Sequence, residues 1–65
     1  MISNKLKIAI FLDDRKSYQI AHEAGLHPAT LSKLVNGIER VKPGDPRVLK
    51  VGRVVGIKRE DCFDT

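Results

Sequence analysis

This chain has little of what builds a secreted scaffold, a membrane anchor or an enclosed active site. Among its 65 residues there is one cysteine, Cys62, and no tryptophan. A single thiol cannot form a disulfide within the chain. No covalent framework therefore supports the fold, and the expected state of Cys62 is a packed thiol near the C-terminus, in keeping with a reducing, cytoplasmic compartment. Long hydrophobic runs are also missing. The run Ile8-Ala9-Ile10-Phe11-Leu12 is closed by Lys5 and Lys7 on one side and by Asp13 and Asp14 on the other. It is far shorter than the roughly 20 residues that cross a bilayer, and no targeting segment, internal repeat or low-complexity stretch is evident. No glycine-rich phosphate loop or cofactor motif occurs. His22 and His27 have no cysteine or carboxylate cluster at ligand spacing, which argues against a metal site. Glu23 with Glu39, or Asp13 with Asp14, could be imagined as acid and base. A chain this small can hardly enclose a substrate, so neither catalysis nor a small-molecule ligand is expected.

What remains is basic charge and a patterned central segment. Twelve Lys and Arg against eight Asp and Glu give a formal charge of +4 and a pI near 9.6. That balance favours a polyanionic partner, although many small proteins are basic. The length makes residues 1–65 a single domain with a small core, whose stability can depend on a second copy.

Residues 17–37 read as two short helices bent around Gly25. Ile20, Ala21 and Ala24 fall on one side of the first helix, and Gln19, His22 and Glu23 on the other. Ala21 is small where a larger side chain would hold a second helix away. Gly25 follows the last inward residue, where the backbone must turn tightly. Leu26 can enter the core from the turn. Pro28 suits a first helical position, because its ring presets φ and its missing N–H is not needed there. In the second helix Leu31, Leu34 and Val35 point inward, Ile38 extends that side, and Gly37 supplies the stop. The opposite side carries Pro28, Ala29, Ser32, Lys33 and Asn36. Small and polar side chains on a helix supported from behind suit a major groove.

Outside this segment, Asn4 to Asp13 reads as an opening helix with Ser3 as N-cap, although Ile8 to Leu12 alone fits a buried strand equally well. On a helix, five consecutive apolar residues would surround the axis and leave an exposed strip suited to a dimer. Residues 38–45 form the main loop, with Pro43-Gly44-Asp45-Pro46 as its turn. Asp45 can cap the next helix, with Pro46 first in it. From Pro46 to Val55, the inward side holds Val48, Val51 and Val55 with Leu49 beside them, and Lys50 and Arg53 face outward. The valines and Gly52 give poor helix propensity, so a strand is an open alternative. Lys58 to Phe63 reads as a last helical turn that returns Phe63 to the core.

Gln19-Ile20-Ala21, Gly25, Leu31-Ser32, Leu34 and Asn36-Gly37 together resemble the phage repressor and Cro type of helix-turn-helix protein, which includes the xenobiotic-response-element-type regulators. A weaker match runs on to Val55-Gly56-Ile57. The resemblance implies an all-α, lambda-repressor-like bundle of four to five helices, and it tips the opening segment to helix. Strand replacement of the C-terminal region has a precedent among Cro proteins. It further implies a sequence-specific regulator of transcription that occupies a double-stranded DNA operator as a homodimer, reading half-sites about 34 Å apart.

Base contacts are then expected from His27, Pro28, Ala29, Ser32 and Lys33. Lys33 can donate to guanine, and the Ala29 methyl and Pro28 ring can meet a thymine methyl. With no paired amide or arginine on this face, discrimination leans on DNA shape as well. Phosphate contacts are expected from the amides of Ser17 and Tyr18 with Arg15 and Lys16 beside them, and from Asn36, Arg40 and Lys42. For any single one of Arg15, Lys16, Arg40 and Lys42 a merely solvated charge is the competing reading. Lys50, Arg53, Lys58 and Arg59 read as solvent-facing. His27 near DNA would make binding mildly pH-sensitive. The competing function is a protein-interaction or antitoxin module with secondary DNA binding. The chain leaves no room for a separate toxin-binding tail, which counts against it.

Overall fold

The first helix, α1 (Asn4–Leu12), starts where the Ser3 hydroxyl accepts a hydrogen bond from the Leu6 amide at 3.1 Å. In the computed structural model, which describes residues 2–63, that serine also joins the two ends of the chain. Its amide donates to the Cys62 carbonyl at 2.9 Å, its hydroxyl donates to the Asp61 carbonyl, and Ile2 pairs antiparallel with Phe63. Ser3 is buried, so these bonds satisfy groups that would otherwise lose water without compensation. Helix, not strand, is the outcome for Ile8 to Leu12. The consequence is exposure: Leu6 is buried, while Ile8, Phe11 and Leu12 face solvent.

Helix α2 (Ser17–Glu23) begins at Lys16, whose amide is capped by the Gln19 side-chain oxygen at 2.9 Å. Helix α3 (Pro28–Val35) begins at His27, whose Nδ1 accepts from the Ala29 amide at 3.1 Å, with Pro28 in the first turn. Between them the Leu26 amide returns to the Ala21 carbonyl at 2.8 Å, across Gly25 at φ +74°. The end of α3 repeats this geometry, with Gly37 at φ +74° and the Ile38 amide on the Lys33 carbonyl at 2.9 Å. Both close the last carbonyls of a helix by the six-to-one bond that a left-handed glycine permits. The residue after each glycine fares differently. Leu26 packs against the core as expected, but Ile38 is 73% exposed and does not extend the inward side of α3.

Helix α4 (Pro46–Val55) settles the open question of the C-terminal region in favour of helix. The Asp45 carboxylate caps it by accepting from the Arg47 amide at 3.0 Å, and Val48 and Val51, one turn apart, are buried. Cap and burial outweigh the propensity deficit of the valines, which amounts to a few tenths of a kcal/mol each. Gly52 has a packing reason. It too is buried, and a Cβ there would collide with Cys62 Sγ. A 3₁₀ turn, η1 (Arg59–Asp61), brings Cys62 under α4.

The protein is thus all-helical with four α-helices and no strand among the described residues. α2 packs on α1, α3 and α4, and α4 also packs on α1 and η1. The core where they meet is Ile2, Leu6, Ile20, Ala21, Ala24, Leu31, Leu34, Val48, Val51 and Cys62. The radius of gyration is 10.1 Å, near the roughly 11 Å of a compact chain of this length, so the exposed apolar residues do not come from looseness. Among the described residues no helix is long and apolar enough to cross a membrane.

Candidate nucleic-acid interface

Burial gives α3 two faces, with Thr30 and Val35 half-buried. Leu31 and Leu34 are buried, whereas Pro28, Ala29, Ser32, Lys33 and Asn36 are exposed, as is His27 before them. An eight-residue helix is about 12 Å long, comparable with the width of a DNA major groove. The start of α3 stands beside α2. Tyr18, Gln19, His22, Glu23, Leu26 and Pro28 line a groove of about 500 Å³ between them. Two expected contact residues, Tyr18 and Pro28, therefore share one depression although ten residues apart in sequence. Gln19 lies there as well. Sequence reasoning placed it on the outer side of α2 without assigning it to the site, and its packing beside α3 depends on how the two helices cross.

Polar side chains on this face are partly organised. Asn36 Nδ2 donates to Ser32 Oγ at 3.2 Å, one turn back along α3. That bond fixes two expected contact residues relative to each other and leaves the serine hydroxyl able to donate. Lys33 is exposed, and among the described residues it has no ion-pair partner. The His27 ring occupies Nδ1 in capping α3, and a protonated Nδ1 could not accept that bond.

Arg15 is held by partners inside the chain. Its guanidinium holds Asp13 through Nε at 2.9 Å and Nη2 at 2.8 Å, Glu23 through Nη1 at 3.0 Å, and the Val54 carbonyl through Nη2 at 2.8 Å. With four of its five donor hydrogens engaged inside the chain, it clamps the α1–α2 connection to α2 and α4, a role that competes with the phosphate contact expected of it. Its side-chain hydrogen bond holds the Asp13 carboxyl down at about 2. Lys16, Ser17 and Tyr18 remain exposed beside it.

Arg47 repeats the device and was missed by the sequence reading. It pairs with Asp45 through Nη2 at 2.9 Å and with Glu39 at 3.7 Å, and it donates to the Arg40 carbonyl at 3.4 Å. The side-chain hydrogen bond from Arg47 lowers the pKa of the Asp45 carboxyl. In both cases an arginine two residues after an aspartate bonds the same carboxylate by side chain and amide. That Asp-x-Arg spacing at the start of a helix or connection was the available signal. Arg47 thereby anchors the loop that carries Arg40 and Lys42, both exposed. A tight turn with Gly44 at φ +81° and the Asp45 amide on the Lys42 carbonyl at 3.0 Å closes it.

Cys62 is fully buried, with its Sγ on the Lys58 carbonyl at 3.3 Å, and burial pushes its thiol pKa up. It is a packing residue. Among the described residues no three His, Cys, Asp or Glu side chains come together as a metal site would need. The chain matches no protein-family model, no curated protein and no solved structure.

Proposed function

We propose that the chain is a sequence-specific double-stranded DNA-binding regulator of the lambda-repressor-like helix-turn-helix type, acting in the cytoplasm as a dimer on its operator. The single observation that carries this reading is α3 itself: a buried Leu31 and Leu34 behind, and a small and polar Pro28, Ala29, Ser32, Lys33 and Asn36 in front. In this reading α3 enters the major groove. Lys33 donates to guanine O6 or N7, Ser32 bonds a neighbouring base edge, and Ala29 and Pro28 make apolar contact with a thymine methyl. His27 stands at the entry, where its ring also caps the helix.

Lys16, Ser17 and Tyr18 are exposed at the start of α2, and so are Asn36 at the end of α3 and Arg40 and Lys42 in the anchored loop. These groups meet phosphates, adding affinity with little sequence preference. Binding positions the protein and blocks polymerase, and no chemical step is involved. Selection of bound duplexes from a random pool, with the winners titrated from low to high salt, tests the reading. It predicts an enriched, roughly palindromic site that keeps its advantage over random DNA. Weak, unenriched binding that vanishes with salt would overturn it in favour of a protein-interaction module.

A further inference from the structure

Two features outside the α3 face complement each other. The first is the end of α1. Ile8, Phe11 and Leu12 lie at helical spacing on one strip and are 56%, 86% and 71% exposed, and the exposed Asp14 follows. Among the described residues Asp14 has no ion-pair partner. The second is a cavity of about 390 Å³ between α4 and η1, with Leu49 and Ile57 as apolar lining and Lys50, Arg53 and Arg59 around them. Those three cations are likewise without ion-pair partners among the described residues. The cavity shares no residue with the groove between α2 and α3. Phe11 does not line it, so within one chain the strip and the cavity remain apart.

We propose that the occupant of the cavity is the α1 end of a second copy of this chain. The Phe11 side chain, the most exposed of the strip, enters between Leu49 and Ile57, and Asp14 meets the Lys50, Arg53 and Arg59 rim. Charge favours this pairing, because an acidic group next to exposed apolar side chains is what a basic-rimmed apolar cavity lacks. A nucleic-acid backbone offers the anion without the apolar group. Geometry permits it twice over. The Arg15 bond to the Val54 carbonyl at 2.8 Å holds the connection after α1 beside the end of α4, whose Arg53 lines the cavity. A two-fold axis there brings each strip to the partner's cavity, the self-complementary arrangement of a closed dimer. The inference gives a surface to the dimer of the DNA-binding reading, on which it rests, but its test contains no operator and can fail separately.

The test is sedimentation equilibrium of the whole chain without DNA, from about 1 μM to about 1 mM, with helicity of each variant checked by circular dichroism. The wild type is expected to form a concentration-dependent dimer. Phe11→Ser should raise the dissociation constant at least about tenfold, as loss of a central aromatic does. Asp14→Lys and Arg53→Glu should each raise it about threefold to tenfold, and the two together should recover most of the loss, because the charges are exchanged and not removed. All three positions are exposed, so folding is retained. A chain that stays monomeric throughout, a dimer indifferent to these substitutions, or single losses without recovery in the exchanged pair would each overturn the proposal. So would amide shifts at Lys50, Arg53 and Ile57 on adding a random duplex to monomeric protein, which would assign the cavity to nucleic acid.

Discussion

Removing the Arg15 side chain strips Asp13, Glu23 and the Val54 carbonyl of a shared donor at once. Arg15→Ala is therefore expected to lower the melting temperature at neutral pH, and the pH dependence identifies the cause. Asp13 is held at about 2 in the folded protein against an ordinary 3.8. A carboxyl lowered by folding contributes stability that is complete above its unfolded pKa and is lost as pH falls through the folded one. The difference in melting temperature between wild type and Arg15→Ala should be widest near pH 7 and shrink as pH drops from about 4 to about 2. A gap that stays constant over that range would refute the Asp13 pairing. Lys33 acts in the opposite direction, outward. Lys33→Ala is expected to weaken operator binding by about 1 to 3 kcal/mol while leaving random-duplex binding unchanged, as competition titrations would show. Which arginines clamp was only partly legible at this scale. Arg15 and Arg47 each follow an aspartate by two residues, as Arg40 does not, but the approach of Glu23 and of the Val54 carbonyl to Arg15 needed the fold.

At the scale of elements, packing decides what propensity leaves open. In an exposed helix, Gly→Ala gains about 0.5 to 1 kcal/mol, yet Gly52→Ala should destabilise by about 1 to 3 kcal/mol because its Cβ meets Cys62 Sγ. Denaturant titration of Gly52→Ala, Cys62→Ala and the double variant checks this. The double variant should be less damaged than the sum of the singles, and strict additivity would show that the two do not touch. Ala21→Leu should cost a comparable amount, because Ala21 is fully buried on α2 at the core. Most element boundaries could be read from the chain. Ser3, Asp45, Pro28, Pro46, Gly25 and Gly37 act through neighbours a few residues away, and each marks the start or stop it was expected to mark. Two readings needed the fold. The α1 segment and α4 were each open to a strand, and what closes the question is burial of Leu6, Val48 and Val51 against other helices.

For the whole molecule, the hardest features to foresee join distant residues. Ile2 and Ser3 meet Cys62 and Phe63, a pairing that buries both and that no local signal announces, although Ser3 was legible as a cap. Ile38 was expected inward by helical spacing, yet the chain turns at Gly37 and leaves it exposed. The exposed face of α3 was legible because helical period alone separates Leu31 and Leu34 from Ser32 and Lys33. The groove that joins Tyr18, Gln19 and Pro28 was not. At this scale the charge also becomes a measurable field. Arg40→Ala should weaken operator and random-duplex binding alike and flatten the plot of log K against log salt by about 0.9, one phosphate contact fewer. An unchanged slope would make Arg40 a solvated charge only.

The claim that α3 reads base sequence is tested most directly by two parallel selections from one random duplex pool, one with the wild type and one with Lys33→Gln. Lysine donates to guanine, whereas glutamine pairs with adenine N6 and N7. Both proteins should enrich a two-fold symmetric site, and the two sites should differ at one equivalent position in each half, with guanine giving way to adenine. The same site from both proteins, or no enrichment with either, would contradict the account.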